Sequence, residues 1–116
     1  MFRPPAAFSV TATRHGDAVV LALAGELDIV TAAELERAVP PLRPGDTLVV
    51  DLRELDFMDS SGLHELMRLD VASRADGWSL AIVRGGAGVQ RILDLVRLEE
   101  RIRTVDAPGE IAPGLG

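Results

Sequence analysis

The chain predicts an α/β fold, a small mixed sheet backed by helices mainly on one face. Three observations carry this. Apolar runs of strand length at 18–24, 47–52 and 78–83 alternate with amphipathic stretches of helical period. Turn chemistry separates them, at His15-Gly16-Asp17, Arg43-Pro44-Gly45-Asp46 and Asp76-Gly77. The length, 116 residues of which 47% are hydrophobic, fits one domain, and such a domain buries about two thirds of its unfolded surface. Strands separated by helices pair mostly in parallel through right-handed crossovers, and an initial hairpin adds an antiparallel edge.

Phe8, Val10 and Ala12 alternate with Ser9, Thr11 and Thr13, the period-two pattern of an edge strand with one buried face. The turn at 15–17 returns the chain as AVVLALA (18–24), continuously apolar and so expected to be buried on both faces. Gly25-Glu26-Leu27-Asp28 ends that strand. Thr31 followed by Glu34 spells a capping box for the first helix, with Leu35 and Val39 on its inner face and Pro40-Pro41 as its stop. TLVVDL (47–52) is β-branched and central. The second helix places Leu63, Leu66, Met67 and Val71 on the sheet side and turns His64, Glu65 and Arg68 outward. WSLAIV (78–83) is the next strand, Val89, Ile92, Leu93 and Val96 form the stripe of a third helix, and 102–105 offers a short last strand. Residues 1–7 are expected to be a flexible N-terminal segment, 8–107 the domain, and 108–116 a flexible tail with little to bury.

Composition removes several function classes. Without cysteine there are neither disulfides nor thiolate metal sites, and with two histidines a zinc site would lean on carboxylates. No cofactor or metal is expected. A formal net charge of −6, no lysine at all and four scattered aromatics argue against a nucleic-acid surface. MFRPPAAFSV lacks the apolar core of a signal peptide and no run spans a bilayer, so a cytoplasmic protein without membrane insertion is expected.

The stretch around which the chain is organised is DLRELDFMDSSGLHELM (51–67), an apolar strand that ends in acidic residues and turns through two serines and a glycine into a helix. Ser60, or alternatively Ser61, stands at the helix start, a position suited to capping or to carrying a phosphate. In the plain structural reading Asp59, Ser60 and Ser61 are capping residues, and Gly62 permits close packing of the first turn. That reading leaves unexplained the acidity of Asp51, Glu54, Asp56 and Asp59, joined by Glu26 and Asp28 if parallel strands end at one rim. A nucleophilic Ser60 would need His15 or His64 as base; neither is well placed, and no G-x-S-x-G elbow exists. Gly85-Gly86-Ala87-Gly88 matches neither the P-loop nor the dinucleotide fingerprint. A two-metal site from Asp51, Asp56 and Asp59 is a weaker alternative to a solvated loop.

FMDSSGL (57–63) resembles the STAS family, specifically its anti-sigma factor antagonists. GELD followed by a capping Thr (25–31), VVDLRELDFMDSSGL (49–63) and VQRILDLVRLEERIRTVD (89–106) look like family patterns in the family's order. The resemblance implies a binding module rather than an enzyme. It implies that the unmodified protein captures an anti-sigma factor that is also a serine kinase, that the kinase phosphorylates Ser60, and that a PP2C-type phosphatase reverses this. Asp28 then belongs to the partner contact, with Glu26, Asp59, Ser61, Gly62 and His64 around it. Relatives often carry a small residue where this chain has His64. Within the family, the alternative is a STAS subunit of a stressosome or lipid-transport assembly.

Overall fold

A computed structural model describes residues 7–115. Its element order is β1 (Ser9–His15), β2 (Ala18–Leu27), α1 (Ile29–Ala38), β3 (Thr47–Met58), α2 (Ser60–Asp76), β4 (Ser79–Val83), α3 (Ala87–Leu95) and β5 (Arg103–Val105), with short 3₁₀ turns at Leu98–Glu100 and Pro108–Glu110. The five strands lie in the order β1-β2-β3-β4-β5. β1 is antiparallel to β2, and every other pair is parallel. The mixed sheet with an antiparallel edge, expected from the alternation of strands and helices, is the architecture observed.

Alternation along each strand sorts side chains onto two faces. Val19, Leu21 and Leu23 of β2, Leu48, Val50 and Leu52 of β3, and Leu80 and Ile82 of β4 form the main core, with Leu35 of α1, Leu66 and Leu69 of α2, and Val89 and Leu93 of α3. The intervening Val20, Val49, Ala81, Val83 and Val105 make a smaller cluster on the opposite face, where Ile111 and Leu115 pack against them. The helices therefore share one face. The reading that the stretch after 107 has little to bury is corrected on this point, because Pro108 and Ala112 are buried and Gly114 lies beside the His15 ring. A parallel sheet with helices on one side leaves a second apolar face, and these residues cover part of it. Of the expected N-terminal segment, residues 1–6 lie outside the described residues.

Three local expectations change. First, α1 starts one turn earlier than Thr31-Glu34 suggests. Asp28 is its N-cap and Thr31 the third helical residue, so the box closes between those two side chains. Second, β3 runs six residues beyond Leu52. Its pairing with β2 slips between Ala22 and Ala24 and between Gly25 and Glu26, which inserts two bulges. Core-facing residues therefore step by three, from Leu52 to Leu55 to Met58, and the period-two signature disappears although the strand continues. Third, α2 is rotated from its expected orientation: Glu65 is buried and Val71 exposed. Glu65 tolerates burial because Arg68 grips both of its oxygens, Nε to Oε1 at 2.9 Å and Nη2 to Oε2 at 2.6 Å. That carboxylate in turn raises the Arg68 pKa above its ordinary value.

Candidate functional site

Parallel pairing sets Leu27, the last residue of β2, beside Met58, the last of β3. Each strand passes through one aspartate into a helix, so α1 and α2 begin side by side at the same rim of the sheet. The two junctions are tied directly, since the Asp59 amide donates to the Leu27 carbonyl at 3.2 Å. Two positive helix ends thus share one edge.

At the first junction Asp28 Oδ1 accepts from the amides of Val30 (2.9 Å) and Thr31 (3.0 Å) and lies 3.2 Å from the Thr31 hydroxyl oxygen. Thr31 Oγ1 returns the favour by accepting from the Asp28 amide at 2.8 Å and donates to the Glu26 carbonyl at 2.7 Å. These bonds favour the ionised carboxylate, and the amide of Thr31 contributes most to holding the Asp28 pKa below its ordinary value of 3.8. Asp28 thus carries a fixed negative charge at the rim.

At the second junction Asp59 is the N-cap of α2, accepting the Ser61 amide at 2.8 Å. The capping role that the sequence left open among Asp59, Ser60 and Ser61 thus falls to Asp59. Ser60 is the first helical residue, exposed, and its hydroxyl bonds to no described residue. Ser61 is half-buried behind it. Gly62 is buried and cannot be enlarged without displacement: a Cβ there would lie 2.6 Å from Met58 Cγ, 2.8 Å from Leu27 Cγ and 2.9 Å from Leu27 Cδ2. The glycine lets the first turn of α2 settle onto the ends of both strands, which holds Ser60 at a fixed height on the rim.

The other expected site residues divide. Glu26 is half-buried one residue before Leu27, and Glu54 and Asp56 are exposed along the bulged end of β3. Asp51 faces away: it is buried under an ion pair with Arg53, whose Nη2 lies 2.9 Å from its Oδ2. His64 is exposed on α2 and makes no hydrogen bond to Ser60, and His15 ends β1 at the other end of the sheet. Neither histidine supplies the base that a nucleophilic Ser60 needs. Among the described residues no three His, Asp or Glu side chains gather as a metal site, and no helix is long and apolar enough to cross a membrane.

Sequence reasoning missed three members of this rim. Ile29 and Val30, the first residues of α1, are 77% and 68% exposed, and Phe57, next to the end of β3, is 46% exposed. Each reads as core by residue type. The one available signal was the position of Ile29 and Val30 directly after a capping aspartate, where a first helical turn faces outward.

The chain's similarities fall in this same arrangement. A family model described as Mlab, STAS domain, matches residues 10–105. Anti-sigma-F factor antagonist RsfB of Mycobacterium tuberculosis is 32% identical over 103 residues, which cover 85% of this chain and 82% of that protein. The chain belongs to the STAS domain family, among the anti-sigma factor antagonists. An anti-sigma-B factor antagonist of Staphylococcus epidermidis is 30% identical over 88 residues, 74% of this chain and 82% of its own. The crystal structure of an anti-sigma factor antagonist from Mycobacterium paratuberculosis superposes with a TM-score of 0.73 at 23% identity, covering 94% of each chain, and so shares the STAS fold. The mixed-sheet fold read from sequence as a STAS feature is the one observed, and the family model spans the DSSGL stretch at the strand-to-helix junction.

Proposed function

We propose that this STAS domain is a non-enzymatic switch that binds an anti-sigma factor through the rim around Ser60 while Ser60 is unmodified. The partner, itself a serine kinase, phosphorylates Ser60 and is released, and a PP2C-type phosphatase restores the binding form. Sigma factor availability follows the state of this one hydroxyl.

The observation that carries the reading is the exposed, unbonded Ser60 hydroxyl on a rim that also presents uncovered Ile29, Val30 and Phe57 beside the ionised Asp28. A hydroxyl that capped α2 would be withdrawn from a kinase; with Asp59 as the cap, Ser60 is available. Exposed aliphatic and aromatic side chains around a charged group match the composition of a protein-binding surface. The names of the relatives from Mycobacterium tuberculosis and Staphylococcus epidermidis support the choice of an anti-sigma factor as partner.

A phosphate on Ser60 adds about −1.5 to −2 charges. At the start of α2 it meets a favourable dipole, so the fold persists and the consequence falls on the interface. There its bulk and its repulsion of Asp28, Asp59 and acidic groups of the partner weaken binding. Incubation with the cognate kinase and ATP, followed by mass spectrometry, tests the assignment: a single phosphate on Ser60 is expected, and phosphate on Ser61 alone contradicts it.

A further inference from the structure

β5 is only three residues long and pairs with Ala81–Val83, so the first two residues of β4, Ser79 and Leu80, have β3 on one side and no strand on the other. The result is a notch in the sheet edge, with a cavity of about 400 Å³. Trp78, Ser79 and Leu80 form its wall, and Arg74 of α2, Arg101 and Arg103 surround it. Three of the twelve arginines of a chain with net charge −6 thus converge on one recess.

Their charges are largely uncompensated. Among the described residues the only carboxylate lining the notch is Asp70, which is buried. It takes Nε of Arg74 at 3.1 Å and Nη2 of Arg101 at 3.2 Å, while Arg74 Nη2 donates to the Arg101 carbonyl at 2.9 Å. A guanidinium has five N–H donors. Arg74 uses two, Arg101 one, and the Arg103 side chain makes no hydrogen bond or ion pair with any described residue. Asp70 therefore does two things: it fixes two guanidinium groups at the edge of the cavity, and it leaves most of their donors without a partner among the described residues. Planar, always-charged donors arranged in this way suit the oxygens of a phosphate.

We propose that this notch is a binding site for a phosphate group, carried by a free small molecule or by a lipid headgroup, separate from the partner-binding rim. Ser60 and Arg74 lie at opposite ends of α2, about 21 Å apart along the helix axis at 1.5 Å per residue. The site therefore stands whether or not the rim binds an anti-sigma factor.

Trp78 is the only tryptophan and is its own reporter. Pyrophosphate titrated at constant ionic strength is expected to change its emission saturably, and Arg103→Ala is expected to weaken the affinity about tenfold or more, the scale of one lost charge-assisted contact. Because the Arg103 side chain has no hydrogen-bond or ion-pair partner among the described residues, its removal is expected to leave the unfolding temperature unchanged. Arg91→Ala on α3 and Ser60→Asp are expected to bind as the wild type does. Saturation by pyrophosphate assigns a free phosphate compound. Binding to phosphatidic acid vesicles alone, lost in Arg103→Ala, assigns a headgroup. The proposal is overturned if neither probe binds, if Arg103→Ala equals the wild type, or if Arg91→Ala weakens binding as much.

Discussion

Replacing Gly62 by alanine tests the geometry that fixes Ser60, because two effects of known sign oppose each other there. In a helix alanine is favoured over glycine by up to about 1 kcal/mol, so intrinsic propensity predicts a more stable protein. Against this, the new methyl group would sit 2.6–2.9 Å from Met58 Cγ, Leu27 Cγ and Leu27 Cδ2, and both side chains are at most 1% exposed. Both are packed in the core, and overpacking of this kind costs about 1–3 kcal/mol. At the middle of that range the balance is a net loss of about 1 kcal/mol, read as a lower midpoint in urea unfolding with unchanged slope. Gly88→Ala provides the comparison: Gly88 lies in α3, a Cβ there meets nothing within 4 Å, and the variant should gain up to about 1 kcal/mol. A Gly62→Ala protein as stable as the wild type would refute the claim that this glycine seats α2 on the strand ends.

Asp28 gives a pH signature. Its folded pKa is lowered, so its contribution is fully present above the ordinary value of 3.8 and is lost as pH falls through the folded value. Asp28→Asn should therefore show a smaller acid-induced loss of stability below about pH 4 than the wild type in thermal unfolding followed by circular dichroism; an identical decline would sink the assignment. Phe57→Ala should weaken binding of the anti-sigma factor about tenfold without lowering the unfolding temperature, since the side chain is 46% exposed. Unchanged affinity in calorimetric titration would remove Phe57 from the interface.

What the sequence revealed and what it hid have physical reasons. Strands β2, β3 and β4 were legible because a sheet covered by helices on one face and by the 108–115 segment in part on the other needs near-continuous apolar runs, as at 18–24 and 78–83. The end of β3 was not, because its bulges replace steps of two with steps of three between Leu52, Leu55 and Met58, and a period-two reading stops at the first of them. The start of α1 slipped by a turn because Thr31 fits two capping boxes, one with Glu34 as third residue and one in which Thr31 itself is third to Asp28. Glu65 and Val71 exchanged their expected faces since the long Arg68 side chain can reach back to neutralise a buried carboxylate, a tertiary opportunity that helical period does not register. At the site, DSSGL located the serine, but only the structure showed that Asp59 does the capping and that Ile29, Val30 and Phe57 stand uncovered around it.

The central claim is that the state of the Ser60 hydroxyl controls partner binding while the fold is indifferent to it. Calorimetric titration of the cognate anti-sigma kinase with unmodified and Ser60-phosphorylated protein, each first checked for a cooperative unfolding transition, measures this most directly. The account predicts two folded proteins whose affinities differ about a hundredfold, a difference of about 2.7 kcal/mol and within reach of one desolvated like-charge contact. Equal affinities, or a phosphorylated protein that no longer unfolds cooperatively, would contradict it.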